Sequence, residues 1–196
     1  MIGTIIYFHG FASSSDSTKA KLIKKYISKN HRKVTIHTPD LSNNFEDAIN
    51  QIESLIKDSD RPYTFMGSSL GGYYALYFSQ KLQTKAILIN PAIPPLDGFD
   101  IYLGENENYS TGEKFMLTKN DIKFIRSISH TKFNNHENTL VLVESGDETL
   151  NYSKSVAYFK GSNIDIVMEG DHSYSSLSEK LKKIANFIEI YEFVVK

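Results

Sequence analysis

The 196 residues contain no cysteine. Disulfides, thiolate nucleophiles and Cys-based zinc sites are excluded together, although this absence does not fix the compartment. An excess of one charge is missing too. Lys and Arg number 22 against 23 Asp and Glu, a formal net charge of −1. No broad field is available to attract nucleic acid or an anionic membrane. No apolar run approaches the roughly 20 residues a membrane-spanning helix requires, so membrane insertion is not expected. The stretch Met1 to Phe8 has no basic flank and no small-residue cleavage site. It reads as a strand rather than a signal peptide, and a cytoplasmic protein is expected. Two N-x-S triplets, at Asn108 and Asn151, read as coincidences in that setting. Repeats, low-complexity tracts and linkers are also missing. What remains is ordinary globular composition, 40% hydrophobic and 23% charged, in a chain long enough for one domain with an unstapled core.

Periodicity supplies the architecture. Thr4 to Phe8 is a short continuous apolar run, as in a strand buried on both faces. Helical spacing follows through Leu22, Ile23, Tyr26 and Ile27, then a strand at Val34–His37 and an amphipathic helix over Glu46–Lys57. Tyr63–Met66 predicts a strand, and Leu70–Leu82 a helix apolar nearly all round, hence buried. Ala86–Ile89, Thr139–Val143 and Ile164–Met168 predict three more strands. Helices are expected at Tyr152–Phe159 and at the end of the chain, marked by Leu177, Leu181, Ile184, Ile188 and Tyr191. Between Ile93 and Glu137 the text turns polar, with one helical patch near Asn120–Ile128. A segment this long between strands predicts a small cap within the single domain 1–196. Strand and helix alternate six times without a hairpin signal, which predicts an α/β fold: a parallel sheet with helices on both faces.

Gly67-Ser68-Ser69-Leu70-Gly71 lies at the predicted turn from the third strand into the helix. It fits G-x-S-x-G, the nucleophile elbow. At such a turn the serine is strained and its flanking positions come too close for a Cβ, hence glycine. The helix behind it directs N–H groups and a positive dipole end at the same point, where a substrate oxyanion would be stabilised. The alternative is a glycine-rich turn without chemistry. A P-loop is excluded because Tyr73, not lysine, follows Gly72, and G-x-G-x-x-G does not fit this register.

In a doubly wound sheet, functional residues gather past the carboxyl ends of the strands. His9-Gly10, Ser69, Asp147 and His172 all lie at such ends. Ser69 requires a base, and His172, on the loop after the last strand, suits that role. His31, His130 and His136 sit in polar stretches and read as solvated; His37 reads as ending a strand. Asp147 would orient His172 and stabilise its imidazolium, with Asp171 and Glu148 as backup acids. Taken alone, Asp147 reads rather as a turn former in Ser-Gly-Asp, and His172 equally as a solvated loop histidine. Serine, acid, histidine is the chain order of an α/β-hydrolase. The backbone N–H groups of Leu70 and Phe11 are the candidate oxyanion donors. Gly10 is expected to let the first loop turn tightly, and His9 to hold that loop by hydrogen bonds; the rival for His9 is a buried, satisfied histidine.

Several stretches together resemble the small bacterial YqiA-type esterases of the α/β-hydrolase superfamily. They are Tyr7-Phe8-His9-Gly10-Phe11, GSSLGGYYA from Gly67 to Ala75, and Asn90-Pro91-Ala92. Ser13-Ser14, Tyr102-Leu103-Gly104 with Asn106-Glu107-Asn108, Thr111-Gly112-Glu113 and Ser145-Gly146-Asp147-Glu148 complete the set. The resemblance implies six strands in the order 2-1-3-4-5-6. It also implies hydrolysis of short-acyl esters with Ser69, Asp147 and His172 as triad and His9, Gly10, Gly67 and Gly71 in support. No metal or organic cofactor is implied; the partner is a small-molecule ester. The chain departs from the family pattern at Tyr109-Ser110, where Pro-Tyr is expected. It departs again at Glu169-Gly170-Asp171-His172, which places acidic groups beside the base. A thioesterase or other acyl hydrolase would use the same machinery, and a binding module could use the same fold.

Overall fold

The computed structural model describes residues 3–130 and 132–189. Tyr191, counted above in the closing helix, lies outside the described residues. In chain order the elements begin β1 (Thr4–Phe8), α1 (Thr18–Asn30), β2 (Thr35–His37), α2 (Phe45–Lys57), β3 (Tyr63–Ser69), α3 (Leu70–Leu82) and β4 (Lys85–Pro91). A 3₁₀ turn at Phe99–Tyr102 leads to β5 (Gly104–Glu107) and β6 (Lys114–Leu117), then α4 (Lys119–Ser127). The chain closes with β7 (Thr139–Glu144), α5 (Tyr152–Tyr158), β8 (Asn163–Val167) and α6 (Leu177–Phe187).

Six strands form one sheet in the order β2-β1-β3-β4-β7-β8, and every neighbouring pair is parallel. This is the expected 2-1-3-4-5-6 topology once the separate pair β5-β6 is left out of the count. All five residues of β1 and all six of β7 are buried, the pattern of strands covered on both faces. Their alternation divides the core in two. Ile6, Phe8, Phe65 and Leu88 pack with Phe45 and Ile49 of α2 and Tyr74 and Phe78 of α3. Ile5, Tyr7, Met66 and Ile87 pack with Ile23 of α1 and Leu181 of α6.

The antiparallel hairpin β5-β6 corrects the expectation that no hairpin occurs. No two-residue Asn-Gly or Asp-Gly turn marks it; residues 108–113 connect the strands instead. Asn108, only 5% exposed, organises that loop: its side-chain oxygen accepts from the N–H groups of Ser110 and Thr111 at 2.9 and 3.1 Å. Gly112 completes the turn in the left-handed region, at φ 73°. The asparagine of the other N-x-S triplet, Asn151, caps α5 through the N–H of Ser153.

The inserted segment is built into the core. Ile122 and Ile125 of α4 are buried in the same cluster as α2 and α3, and the Tyr73 hydroxyl donates to the Ile125 carbonyl at 2.9 Å. Among the described residues, no helix is long and apolar enough to cross a membrane.

Candidate active site

β3 runs on to Ser69, three residues past the predicted end, and α3 begins at the next residue. Ser69 takes φ 55°, ψ −122°, a conformation that costs a non-glycine residue on the order of 1–3 kcal/mol. The surrounding glycines explain how it is held. A Cβ on Gly67 would lie 2.1 Å from the Gly71 carbonyl oxygen, and a Cβ on Gly71 would lie 2.1 Å from that of Phe8. Backbone therefore packs on backbone around the turn. Ser69 occupies the N-cap of α3 without using its side chain as a cap. The N-caps of α1, α2, α4 and α5 all do so. Among the described residues its Oγ has no hydrogen-bond partner and is available for chemistry.

The loops after β7 and β8 are joined by their backbones. Gly146 N–H donates to the Glu169 carbonyl at 2.8 Å, and a Cβ on Gly146 would strike the Gly170 carbonyl oxygen at 2.4 Å. This juncture brings together two side chains far apart in sequence. Nδ1 of His172 lies 2.8 and 3.0 Å from the two carboxylate oxygens of Asp147. The Asp147 side chain is 1% exposed. Its Oδ1 also accepts from the N–H groups of Thr149 and Leu150 at 2.8 and 2.7 Å. Asp147 is thus both a turn former and the partner of His172. With Nδ1–H donating to Asp147, Nε2 of His172 is left as the acceptor. Glu148, a backup acid by sequence, binds the His172 backbone N–H at 3.0 Å.

His9 is 6% exposed and ties two loops. Its Nε2 accepts from the Leu41 N–H at 2.9 Å, and its Nδ1 bonds to the Gly10 carbonyl at 2.9 Å. Burial lowers its pKa, although the Gly10 carbonyl and Asp40 act the other way. The left-handed residue of this loop is Ala12, at φ 51°, not Gly10. Gly10 lies against the nucleophile turn: a Cβ there would sit 3.4 Å from Ser69 Cβ, an ordinary packing distance. The cap hairpin buttresses the same loop. Tyr109 N–H donates to the Ala12 carbonyl at 2.8 Å, and the Asn108 side chain to that of Ser13 at 2.9 Å.

Ser69, His172, Leu70, Gly10 and Phe11 line one cavity of about 330 Å³. Phe99, Tyr102, Tyr109 and Leu150 form its apolar wall, and Tyr7, Ser13, Ser17 and Lys19 its polar one. The Phe11 ring is packed against Phe99, Tyr102 and Phe115, with centroids 5.0–5.6 Å apart. Lys19 escaped sequence reading. Its Nζ donates to the Ser173 carbonyl at 3.0 Å. Burial lowers its pKa against the pull of Asp171, Asp147 and Glu144. A cavity of about 440 Å³ lies at the opposite end of the sheet, beside Thr4, Tyr63 and Lys85, the first residues of their strands. It gathers no nucleophile and base.

His37 ends β2, as expected, whereas His31, His130 and His136 are corrected from solvated to packed. His31 is 5% exposed. His130 stacks on Tyr77 and bonds to its carbonyl, and His136 packs against Phe133. Each polar stretch is folded against an aromatic residue. Among the described residues, no cluster of three or more His, Asp or Glu side chains could hold a metal ion.

Comparison with known proteins agrees with this geometry at the level of family and fold. The model of the family described as "Uncharacterised protein family (UPF0227)" matches residues 4–189. A relative in that family, UPF0227 protein PC1_2487 of Pectobacterium carotovorum, is 24% identical over 188 residues, covering 93% of this chain and 97% of its own. Among solved structures, mouse alpha/beta hydrolase domain-containing protein 10 superposes with a TM-score of 0.72 at 18% identity. That match covers 95% of this chain and 89% of the other. A monoacylglycerol lipase of Paleococcus ferrophilus superposes with a TM-score of 0.68 at 14% identity, covering 96% and 95%. The fold is that of the α/β hydrolases.

Proposed function

The chain belongs to the UPF0227 family, and on that premise we propose that it is a serine hydrolase cleaving short-acyl carboxylic esters. One observation carries the reading. The bonded pair His172–Asp147 and the uncapped hydroxyl of Ser69 come from three different strand ends, and His172 and Ser69 face one cavity. Ser69 Oγ attacks the ester carbonyl carbon while His172 Nε2 takes the hydroxyl proton. The oxygen that becomes negative is received by the N–H groups of Leu70 and Phe11, each such donor being worth about 3 kcal/mol in the transition state. His172 returns the proton to the departing alcohol oxygen, leaving an acyl group on Ser69. Water then attacks the acyl carbon with His172 again as base, releasing the acid. Asp147 holds the tautomer and the imidazolium throughout. Hydrogen bonds between nucleophile and base commonly tighten only when substrate is bound.

The cavity supports a small ester as substrate: its volume is about 330 Å³, and the rings of Phe99 and Tyr102, from the segment 93–137, lie in its wall. The experiment is a series of p-nitrophenyl esters from acetyl to decanoyl, with thioesters in parallel, on wild type and Ser69→Ala. The expected result is a preference for short acyl chains on oxygen esters and a loss of about 10⁴-fold or more in Ser69→Ala. Undiminished hydrolysis by Ser69→Ala would overturn the reading, and a preference for thioesters would reassign the substrate.

A further inference from the structure

Among the described residues, Glu144 is the one acidic residue that is fully buried, at 0% exposure, and the proposed reaction does not use it. It ends β7, three residues before Asp147. Its Oε2 accepts from the backbone N–H groups of Asp171 and Ser175 at 2.8 and 3.2 Å, and its Oε1 from that of Ser176 at 2.9 Å. These three donors bracket His172. The carboxylate also explains Gly170, at φ 77°, where a Cβ would lie 2.3 Å from Glu144 Oε2.

Asn90 holds the other polarity of the same segment. Its Nδ2 donates to the carbonyls of Asp171 and His172 at 2.9 and 3.3 Å, while its Oδ1 accepts from the Glu144 N–H at 2.9 Å. Asn90 is 2% exposed and itself left-handed, at φ 38°. We infer that Glu144 and Asn90 are positioning residues for the base: together they fix the backbone on both sides of His172, so that its ring is set against Asp147 before substrate arrives. The inference rests on the triad reading above. Asp147 can fix only the ring's rotation; the location of the Cα it rotates from is set by these buried bonds, with the exposed Glu148 and Lys19 bonds to the His172 N–H and the Ser173 carbonyl beside them. A misplacement of about 1 Å at a reacting group costs on the order of 10²-fold in rate.

The test uses Glu144→Met, Glu144→Gln and Asn90→Asp, with active sites counted by fluorophosphonate so that unfolded protein does not enter kcat. Glu144→Met removes every acceptor and is expected to lower kcat per titrated site by about 10²-fold with KM near the wild-type value. Glu144→Gln keeps one acceptor oxygen, enough for the Asp171 and Ser175 N–H groups, but turns its NH2 toward that of Ser176, and is expected to lose less kcat than Glu144→Met. Asn90→Asp tolerates the same backbone but sets an acceptor against two carbonyls, and is expected to lose kcat likewise. It also serves if Glu144→Met does not fold. A second readout needs no turnover: the low-field proton resonance of His172 Nδ1–H should be sharp in wild type and broadened or lost in Glu144→Met or Asn90→Asp. Unchanged kcat and an unchanged resonance in the folded variants would overturn the inference. If wild type hydrolyses no ester, the proposed function fails, and the resonance alone decides the positioning claim.

Discussion

Gly67 and Gly71 carry the tightest constraint at the scale of single residues. Each faces a carbonyl oxygen at 2.1 Å from where a Cβ would stand, and neither neighbour is a side chain that can swing away. Gly71→Ala is therefore expected to lose about 3 kcal/mol or more, read as a lower urea midpoint, together with all hydrolysis. Asp147→Asn tests a subtler dependence. The amide preserves shape but favours the wrong imidazole tautomer, and kcat is expected to fall by about 10⁴-fold with little change in thermal stability. Both sites were legible in the sequence because residue type and spacing state the requirement directly. Glu144 was not. Its role depends on three N–H groups some thirty residues further on, and no local pattern announces them.

Elements succeed or fail by how local their signals are. α3 was predicted to its exact ends, because a glycine elbow starts it and an apolar run fills it. The hairpin β5-β6 was missed, because its loop is organised by the buried side chain of Asn108 rather than by a short turn dipeptide. That side chain also binds the carbonyl of Ser13, so the hairpin and the candidate oxyanion loop are one piece. Asn108→Ala is expected to destabilise this corner by about 1–3 kcal/mol through the lost bonds. Limited proteolysis should cut the variant within residues 104–117 at protease levels that leave wild type intact. Equal resistance would mean that the loop is held by other contacts.

At the scale of the whole molecule, parallel order places the carboxyl ends of all six strands at one sheet edge, and buried ionisable groups bind the segments that follow them together. This links stability to pH. The unfolded chain protonates His9 near its ordinary value of 6.5, whereas the folded chain resists because burial lowers that pKa. Below pH 6.5 the unfolded state thus binds more protons, and stability falls with pH until the folded pKa is reached, by up to about 1.4 kcal/mol per pH unit. Urea midpoints at pH 7.5 and 5.5 should drop for wild type and drop less for His9→Gln. Glu144 adds a second acid loss. Burial pushes its pKa up, but the Asp171 N–H, the Ser176 hydroxyl and the N–H groups of Ser176 and Ser175 outweigh that and lower it from 4.5. The stabilisation from Glu144 is full above 4.5 and is lost as pH falls through the lower folded value.

The catalytic claim reduces to the chemical state of one hydroxyl, and a fluorophosphonate reads that state directly. Intact mass should show one adduct per chain at neutral pH, and peptide mapping should place it on Ser69 and leave Ser68 free. Labelling should be suppressed in His172→Ala. Absence of any adduct, or an adduct formed equally well without His172, would contradict the account.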